Sequence, residues 1–447
     1  MGAVDPAIFK AYDIRGVYPE EIDEEVASLI GRAFVTFLEE DRILVGRDMR
    51  LSSPSLSRAF IEGATRQGAD VVDIGLCSTD MLYYASGELD LPGAMFTASH
   101  NPAEYNGLKL CRRKAGPISE DTGIAQIRDL VLGGDLPASR SRGEVVERDM
   151  LPRYIEHVLG FIDVSAVKPL RVVADAGNGM AGLVLPALFQ HLPCDLIPHC
   201  FELDGSFPHH QPSPIEPENI KLLQDWVREA GADLGMAFDG DADRVFLVDD
   251  LCEPVSGSLT TALIARRILQ KNPGEKIIYN CINSWIVPET IRACGGVPIR
   301  ERVGHSFIKQ TMAETGAVFA GEHSGHYYFR DNYRADSGII AALFVLEIVS
   351  LEGRPLSEIL QPFKKYHASG EINSRVDDIP AKLDEIARLH AGARIDRLDG
   401  VTVEYDDWWF NVRPSNTEPL LRLNLEARTR ELMETKRDEI LAVIRSR

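Results

Sequence analysis

The chain has 447 residues, of which 45% are hydrophobic and 26% are charged, and its formal net charge is -20. This length exceeds what one ordinary hydrophobic core accommodates, so about two to four domains are expected. The acidic charge argues against a nucleic-acid partner or an anionic membrane surface, and it requires any site for a phosphorylated ligand to gather basic residues locally.

Cysteine usage and hydropathy indicate the compartment. The seven cysteines are scattered without a Cys-x-x-Cys pair, which predicts buried free thiols in a reducing cytoplasm. The N-terminus lacks the basic start and apolar core of a signal peptide. The longest apolar stretch, 339–351, contains Glu347 and is too short to span a bilayer. We therefore expect a soluble, cytoplasmic protein without a membrane partner.

The first part of the chain alternates strands and helices. The pattern predicts helices over 24–38 and 54–67, the second with Ser53 as its N-cap, and strands over 43–45, 69–75 and 91–96. Such alternation is typical of a parallel sheet covered by helices, and ligands of these sheets gather at the carboxyl ends of the strands.

The segment Thr97-Ala98-Ser99-His100-Asn101-Pro102 follows the last of these strands. A serine with small neighbours and an adjacent histidine can carry a phosphoryl group, act as a hydrolase nucleophile, or simply occupy a turn. The hydrolase elbow is disfavoured, because its glycines are replaced by Thr97 and Asn101. Two basic residues, Arg15 and Lys109, are placed in the chain where they can point at a phosphate on Ser99.

A second cycle begins near residue 150 and contains the strongest chemical signal. The apolar strand 234–238 runs into Asp239-Gly240-Asp241-Ala242-Asp243-Arg244. Three carboxylates at alternate positions can converge on one hard cation such as Mg²⁺. An EF-hand loop would need glycine where Arg244 stands, and a solvated acidic turn would not be expected directly after an apolar strand. We interpret the segment as a metal loop whose arginine faces a phosphate.

A third cycle contains two further polar segments. Gly321-Glu322-His323-Ser324-Gly325-His326 follows a predicted strand, and its side chains suit sugar hydroxyls, with His326 available for proton transfer. A histidine-rich surface loop is the alternative. Upstream, His305 lies at the predicted start of a helix.

The chain ends in a region of short strands and helices past residue 366. Here Arg413-Pro414-Ser415-Asn416-Thr417-Glu418-Pro419 forms a predicted loop between strands. An arginine fork beside hydroxyl, amide and backbone donors fits a phosphate oxyanion, whereas a plain turn does not need so many donors. Arg15, Lys109, Arg244 and Arg413 are thus the candidate local basic patch.

With these four motifs in order along the whole chain, the sequence resembles the α-D-phosphohexomutase superfamily, and within it the bacterial phosphomannomutase/phosphoglucomutase type. The resemblance implies three similar α/β domains with mixed, mostly parallel sheets and a smaller C-terminal α+β domain around a central cleft. The expected domains are 1–148 with the phosphoserine loop, 149–251 with the metal loop, 252–368 with the sugar loop and 369–447 with the phosphate loop.

The resemblance also implies roles for individual residues. Ser99 is the expected phosphoserine and, with the three aspartates, a ligand of Mg²⁺. Proton transfer and charge stabilisation are expected from His100, Arg15, Lys109, His305 and His326. Substrate contacts are expected from Arg244, Glu322, Ser324, Arg413, Ser415, Asn416 and Thr417.

The implied activity is a phosphomannomutase that interconverts mannose 6-phosphate and mannose 1-phosphate through a hexose 1,6-bisphosphate, which also serves as activator; activity on glucose phosphates is compatible with this. The alternatives are a phosphoglucosamine mutase, a serine- and metal-dependent sugar phosphatase, and a non-catalytic sugar-phosphate sensor. The expected partners are small-molecule sugar phosphates, and the expected assembly is a monomer or homodimer.

Overall fold

The structure, a computed structural model, describes residues 4–134, 136–137, 139, 141–415 and 420–446. The chain divides into two compact units. Unit 1 comprises Met1–Ser256 and Ser324–Ile359, and unit 2 comprises Gly257–His323 and Leu360–Arg447. A division into four domains at the boundaries expected above stays a prediction.

The first sheet of unit 1 is mixed and has seven strands in the order β1-β5-β4-β2-β3-β7, with β6 beside β5. Strands β2, β3, β4 and β7 pair in parallel, whereas β5 is antiparallel to its neighbours. The strands β1 to β7 are Ile14–Val17, Arg42–Arg47, Asp70–Leu76, Gly93–Phe96, Tyr105–Arg112, Gly116–Pro117 and Val145–Glu147. The accompanying helices α1 to α5 are Glu24–Leu38, Ser53–Arg66, Thr79–Leu89, Ile124–Gly133 and Leu151–Leu159.

Helices α1 and α2 pack closely because each presents a glycine to the other. A Cβ atom on Gly31 would lie 2.3 Å from the Phe60 carbonyl oxygen, and one on Gly63 would lie 2.0 Å from that of Ser28. The predicted bounds of α1 are confirmed. Helix α2 begins one residue earlier than predicted, so that Ser52, not Ser53, occupies the N-cap position.

The second sheet of unit 1 has five strands in the order β12-β11-β10-β8-β9. Its β8 pairs in parallel with β9 and β10, and β11 is antiparallel to β10. Strands β8 to β12 are Arg171–Asp175, Asp195–His199, Leu234–Phe238, Val245–Val248 and Pro254–Val255, and helices α6 and α7 are Ala181–Phe189 and Pro217–Ala230. Every residue of β10 is buried, which explains why its sequence is a continuous apolar run.

Unit 1 also contains β16, Tyr327–Phe329, and α11, Gly338–Glu352. Helix α11 is the longest apolar stretch of the sequence, and nearly all of it is buried. The carboxylate of Glu347 within it accepts a hydrogen bond from the Asp163 backbone N–H at 3.0 Å. Among the helices in the described part of the chain, none has both the length and the apolar character that crossing a bilayer requires.

In unit 2, strand β13 pairs in parallel with both β14 and β15, and a separate antiparallel sheet has the order β17-β21-β20-β19-β18. Strands β13 to β15 are Lys276–Asn280, Val297–Glu301 and Phe319–Gly321, and β17 to β21 are His367–Arg375, Arg394–Asp396, Val401–Glu404, Trp408–Pro414 and Leu420–Ala427. Helices α8, α9, α10, α13 and α14 are Gly257–Lys271, Ile286–Ala293, His305–Thr315, Ile379–Leu389 and Arg430–Arg445. The short α12, Leu356–Leu360, begins in unit 1 and ends at the residue where the chain enters unit 2 again.

All seven cysteines are free, as the sequence predicts, but the expectation that all are buried is wrong. Cys194, Cys200 and Cys294 are half-buried. Each follows or flanks a strand or helix end, where the backbone turns toward the surface and the core no longer covers the side chain.

Candidate active site

Ser99 lies in the loop that joins β4 to β5, and its backbone has a left-handed φ of 48°. This conformation is uncommon for a residue with a side chain and is typical of functional loops. The residue is 4% exposed, and its backbone N–H donates to Thr97 Oγ1 at 2.9 Å. The serine is therefore held in one orientation rather than lying on a free turn.

The buried side chain of Arg50 donates hydrogen bonds to the backbone of this serine loop. Its Nη2 donates to the carbonyl oxygens of Ser99 at 2.9 Å and Asn101 at 2.6 Å. Its Nη1 donates to those of Pro102 at 2.7 Å and Tyr105 at 2.9 Å. Because the planar guanidinium satisfies four carbonyl groups at once, it fixes the loop conformation as several separate donors could not.

The aspartate loop joins β10 to the antiparallel β11 and lies against the serine loop. The Ser99 hydroxyl donates to Asp239 Oδ2 at 3.0 Å, and His100 Nδ1 lies 3.1 Å from the same hydroxyl. A Cβ atom on Gly240 would lie 2.5 Å from the Ser99 carbonyl oxygen, so only glycine permits this approach. The structure thus brings together the two motifs that the sequence predicted to cooperate.

The three aspartates fit a divalent cation. Each offers a carboxylate oxygen, these oxygens lie within 4.8 Å of one another, and all three residues are buried. Asp241 Oδ1 and Asp243 Oδ1 are buried without a hydrogen-bond partner in the structure. Buried carboxylate oxygens without a donor are costly, and a hard cation such as Mg²⁺ would satisfy them.

Cations surround this acidic loop, as the net charge of the chain required. Lys109 Nζ lies 2.8 Å from Asp241 Oδ2 and also pairs with Asp243. Arg244 Nε donates to Asp239 Oδ2 at 2.7 Å. Arg15 donates to the Ala98 carbonyl at 3.2 Å and to Asn101 within the serine loop. Three of the four predicted cations therefore lie around Ser99 and its aspartates.

Proton affinities in the loop are shifted by burial and by these charges. Burial raises the pKa of Asp243, and the neighbouring Asp241 carboxylate raises it further, to about 7. Burial also disfavours ionised Asp241, but the Lys109 ammonium, the Thr79 hydroxyl and the Arg244 charge together outweigh this effect and lower the pKa of that carboxyl. Burial, with Arg244 and Arg15, lowers the pKa of His100 well below its ordinary value, so that its imidazole is neutral.

His326 lies at the edge of the same loop. Its Nδ1 is 2.8 Å from Asp336 Oδ2 and 3.9 Å from Asp243 Oδ1, and its backbone forms an isolated bridge with Arg244. Burial lowers the pKa of His326, but the hydrogen bond to Asp336 and the negative charges of Asp243 and Asp336 together outweigh it and raise the pKa. The imidazole therefore keeps its proton more readily than an ordinary histidine and is suited to donating one. Ser324, also in unit 1, is half-buried.

In unit 2, the predicted sugar-binding carboxylate is buried at the end of β15. Glu322 Oε2 accepts from Asn280 Nδ2 at 3.2 Å and from the Gly304 backbone N–H at 3.4 Å. His305 is the first residue of α10. These two contacts hold the Glu322 carboxylate in place.

The predicted phosphate loop is described in part. Arg413 Nη2 donates to Glu371 Oε2 at 2.9 Å, and Arg422 Nη1 donates to Oε1 of the same glutamate at 2.9 Å. Arg422 Nη2 also donates to Ser415 Oγ at 3.2 Å. Asn416 and Thr417 lie outside the described residues. A second arginine beside the loop, Arg422, increases the positive charge available to an anion.

The sequence did not identify the contacts that four residues make at the site. These residues are Arg50, Thr79, Gly240 and Asp336. Thr79 Oγ1 donates to Asp241 Oδ2 at 2.6 Å, and its backbone N–H donates to the Asp241 carbonyl at 3.0 Å. For Arg50 and Thr79 the available signal was positional, since both follow strand ends of the first sheet.

The chain is similar to known enzymes over nearly its full length. It is 42% identical over 443 residues to a protein of Xanthomonas campestris pv. campestris named phosphohexose mutases, covering 98% of this chain and 99% of that protein. It is 40% identical over 448 residues to a phosphomannomutase of Escherichia coli (strain K12), covering 98% of each. A solved phosphoglucomutase/phosphomannomutase family protein of Burkholderia thailandensis superposes with a TM-score of 0.92 at 34% identity, covering 98% of this chain and 97% of that one.

Four family models of phosphoglucomutase/phosphomannomutase match the chain in order. They are alpha/beta/alpha domain I at residues 6–136, domain II at 152–251, domain III at 256–366 and the C-terminal domain at 371–443. The fold predicted from the sequence, three α/β domains and a smaller C-terminal domain, is thereby confirmed. The chain belongs to the phosphoglucomutase/phosphomannomutase family and is an isomerase of the phosphotransferase type.

Proposed function

We propose that the chain is a phosphomannomutase that interconverts mannose 6-phosphate and mannose 1-phosphate through a phosphorylated Ser99 and a hexose 1,6-bisphosphate, and that glucose phosphates are a second substrate pair. The observation that carries this proposal is the 3.0 Å contact between the Ser99 hydroxyl and Asp239 in the loop of three buried aspartates. The names of the relatives from Escherichia coli and Salmonella support mannose as the sugar.

In the first half of the reaction, the bond between phosphorus and Ser99 Oγ breaks while a bond forms between phosphorus and a sugar hydroxyl oxygen. The hydroxyl proton passes to a base on the protein. The bisphosphate then presents its other phosphate, and the same exchange in reverse returns a phosphoryl group to Ser99. No net phosphate is consumed, so the enzyme is ready for the next substrate.

Charge must supply much of the acceleration. Uncatalysed cleavage of phosphate monoesters is so slow that rate enhancements approach ~10²¹, and positioning supplies only about 7–11 kcal/mol of the barrier reduction. Lys109 and Arg244, which pair with the aspartates, and Arg15, which contacts the serine loop, are the groups of unit 1 that can stabilise the transferring phosphoryl group.

Asp239, Asp241 and Asp243 would hold Mg²⁺ together with an oxygen of the Ser99 phosphate. When bound there, Mg²⁺ supplies positive charge that stabilises the phosphoryl oxygens. The aspartates keep their orientation through protein contacts alone, since Asp241 is bonded by Thr79 and Asp239 by Arg244. His100 and His326 are proposed to take part in proton transfer.

The remaining substrate contacts are proposed from the resemblance and from the local contacts of each residue. Glu322 and Ser324 would bind sugar hydroxyls, and His305 would assist in charge stabilisation. Arg413, Ser415, Asn416 and Thr417 would bind the phosphate that is not transferred. Arg422 is added to this set, because it donates to Ser415 Oγ.

The test combines mass spectrometry with turnover assays. The purified protein is incubated with glucose 1,6-bisphosphate, and the peptide that contains Ser99 is examined for a phosphate. Isomerisation of mannose 1-phosphate, glucose 1-phosphate and glucosamine 1-phosphate is then compared for the wild type, for Ser99→Ala and for Ser165→Ala, an exposed serine far along the chain that serves as control. We expect phosphate on Ser99 and loss of turnover in Ser99→Ala only.

Each alternative predicts a different outcome of these measurements. Fastest turnover of glucosamine 1-phosphate would identify a phosphoglucosamine mutase. Release of inorganic phosphate without a sugar isomer would identify a phosphatase, and absence of both phosphate on Ser99 and turnover would identify a sensor. Full isomerase activity in Ser99→Ala would overturn the phosphoserine mechanism.

A further inference from the structure

A second group of metal-ligating side chains lies in unit 1, apart from the three aspartates. Asp175 is the last residue of β8, Cys200 directly follows the parallel neighbour β9, and His210 lies in the loop before α7. Their donor atoms, a carboxylate oxygen, Sγ and an imidazole nitrogen, all lie within 4.8 Å of one another. Strand pairing places the first two together, because Asp175 is in register with His199.

The backbone around this group leaves one donor atom of each side chain directed at the others. Asp175 Oδ1 accepts from the Gly177 N–H at 2.9 Å, which leaves Oδ2 for another partner. His210 Nδ1 lies 2.9 Å from the Gln211 carbonyl oxygen, which can only accept, so Nδ1 carries the proton. Nε2 is then the nitrogen that faces Asp175 and that can offer a lone pair once its proton is lost. Burial lowers the pKa of His210, but the contacts with Asp175, Cys200 and Gln211 outweigh it and raise the pKa to about 10, so a metal ion has to displace that proton. Histidine ligands of metals are typically oriented in this way.

The two freed atoms face each other as a buried ion pair that a metal ion would have to replace. Asp175 Oδ2 and His210 Nε2 lie 2.9 Å apart, yet both are buried and neither makes a hydrogen bond of acceptable geometry. A catalytic Cys-His-Asp relay is also excluded by the geometry, because it would need the carboxylate and the thiol on opposite ring nitrogens, and Nδ1 is taken by Gln211. Convergence of all three donors on one point is instead the arrangement of a metal site.

We propose that Asp175, Cys200 and His210 bind a divalent transition-metal ion of the Zn²⁺ type. A thiolate, an imidazole and a carboxylate suit Zn²⁺ or Co²⁺, whereas Mg²⁺ takes oxygen ligands. Tetrahedral ligands of zinc lie about 3.3–3.6 Å apart, so small movements of these side chains bring them to that spacing. On binding, the Cys200 thiol and the protonated His210 ring would each lose a proton to solvent as the metal–sulfur and metal–nitrogen bonds form, and a water would complete the coordination.

The site lies just below the surface of unit 1. Cys200 and His210 are half-buried, while Asp175 is 1% exposed and supplies a buried negative charge. An ion can therefore enter from the surface and be retained by the buried carboxylate.

The test uses Co²⁺ as a spectroscopic probe in the presence of excess Mg²⁺, which saturates the aspartate loop. We expect one equivalent of Co²⁺ to bind with a thiolate-to-cobalt charge-transfer absorption that Zn²⁺ displaces. The absorption should be lost in Cys200→Ser and kept in Cys194→Ser, a matched half-buried cysteine whose Sγ lies 3.5 Å from the Lys168 carbonyl.

A second variant distinguishes loss of metal binding from loss of folding. His210→Gln keeps the thiol but removes the imidazole, and we expect its affinity for Co²⁺ to fall at least about 10-fold while its circular dichroism stays that of the wild type. Zn²⁺ should raise the Tm of the wild type and of Cys194→Ser but not of His210→Gln. Absence of the absorption in the wild type, or its persistence in Cys200→Ser, would show that Asp175 and His210 form an ion pair only and would overturn the proposal.

Discussion

Gly240 and Ser99 are in direct backbone contact: a Cβ atom on Gly240 would lie 2.5 Å from the Ser99 carbonyl oxygen. That oxygen also accepts a hydrogen bond from the buried Arg50 Nη2 at 2.9 Å, which restrains its position. The distance between the serine hydroxyl and the aspartates therefore depends on residue 240 having no side chain.

Replacing Gly240 by alanine should separate the two loops. We expect Gly240→Ala to lower kcat by about 10²-fold, since misplacement of reacting groups by about 1 Å has effects of that size. Gly133→Ala is the matched control, because a Cβ atom there meets nothing within 4 Å. Steady-state turnover of mannose 1-phosphate at saturating Mg²⁺ measures the effect, and equal rates for the two variants would contradict it.

Arg50→Lys should damage both the loop and the fold. A lysine ammonium cannot reach the four carbonyl oxygens that the guanidinium bonds, and three lost hydrogen bonds at about 1 kcal/mol each predict a loss of about 3 kcal/mol in the free energy of unfolding. We expect kcat to fall by about 10²-fold as well. Both effects are checked by denaturant unfolding and by turnover of Arg50→Lys. The exposed Arg58→Lys, in helix α2, is the control. A change in stability alone would mean that Arg50 does not position Ser99.

Asp243→Asn should weaken the metal site without removing the serine contact, which Asp239 makes. We expect the Mg²⁺ concentration for half-maximal activity to rise at least about 10-fold, since even outer-shell partners of metal ligands have effects of that size. Binding of Mn²⁺ followed by electron paramagnetic resonance gives a readout that does not depend on activity. The exposed Asp195→Asn is the control. Unchanged Mn²⁺ affinity in Asp243→Asn would show that Asp243 is not a metal ligand.

The pH dependence of stability should carry a contribution from Asp80, which is buried beside Tyr154, Ser337 and Ser78. Burial raises the pKa of Asp80 from 3.8 to about 6, although the hydroxyl donors oppose the shift. The folded protein therefore binds this proton more tightly than the unfolded chain. The associated stability is fully present below pH 3.8 and is lost as the pH rises through about 6.

Relative to Asp80→Asn, which cannot titrate, the wild type should thus lose about 3 kcal/mol of stability between about pH 4 and pH 7. Unfolding of both proteins by urea at the two pH values measures the difference. The same stability difference at both values would show that Asp80 is not protonated in the fold.

Much of the site was predictable because its motifs are local. The strand 234–238 was identified from its apolar run, the three aspartates that follow it from their charge and spacing, and the helix over 24–38 from its amphipathic spacing. Helix α2 was displaced by one residue, because Ser52 and Ser53 are equally good N-cap candidates in sequence. Arg50 was missed because nothing local distinguishes an arginine that bonds distant carbonyl groups from one exposed to water.

The sequence by itself determined the order of the α/β cycles and which residues carry the proposed chemistry, a serine proposed to hold phosphate and carboxylates proposed to hold a hard cation. All of these depend on residue type and on spacing within a few positions. Only the tertiary structure decided that Arg50 supports the serine loop, that Gly240 permits its contact with the aspartates, and that Asp175, Cys200 and His210 converge. These relationships join residues from different strands, and strand pairing and burial, not neighbouring sequence, set the distances between them.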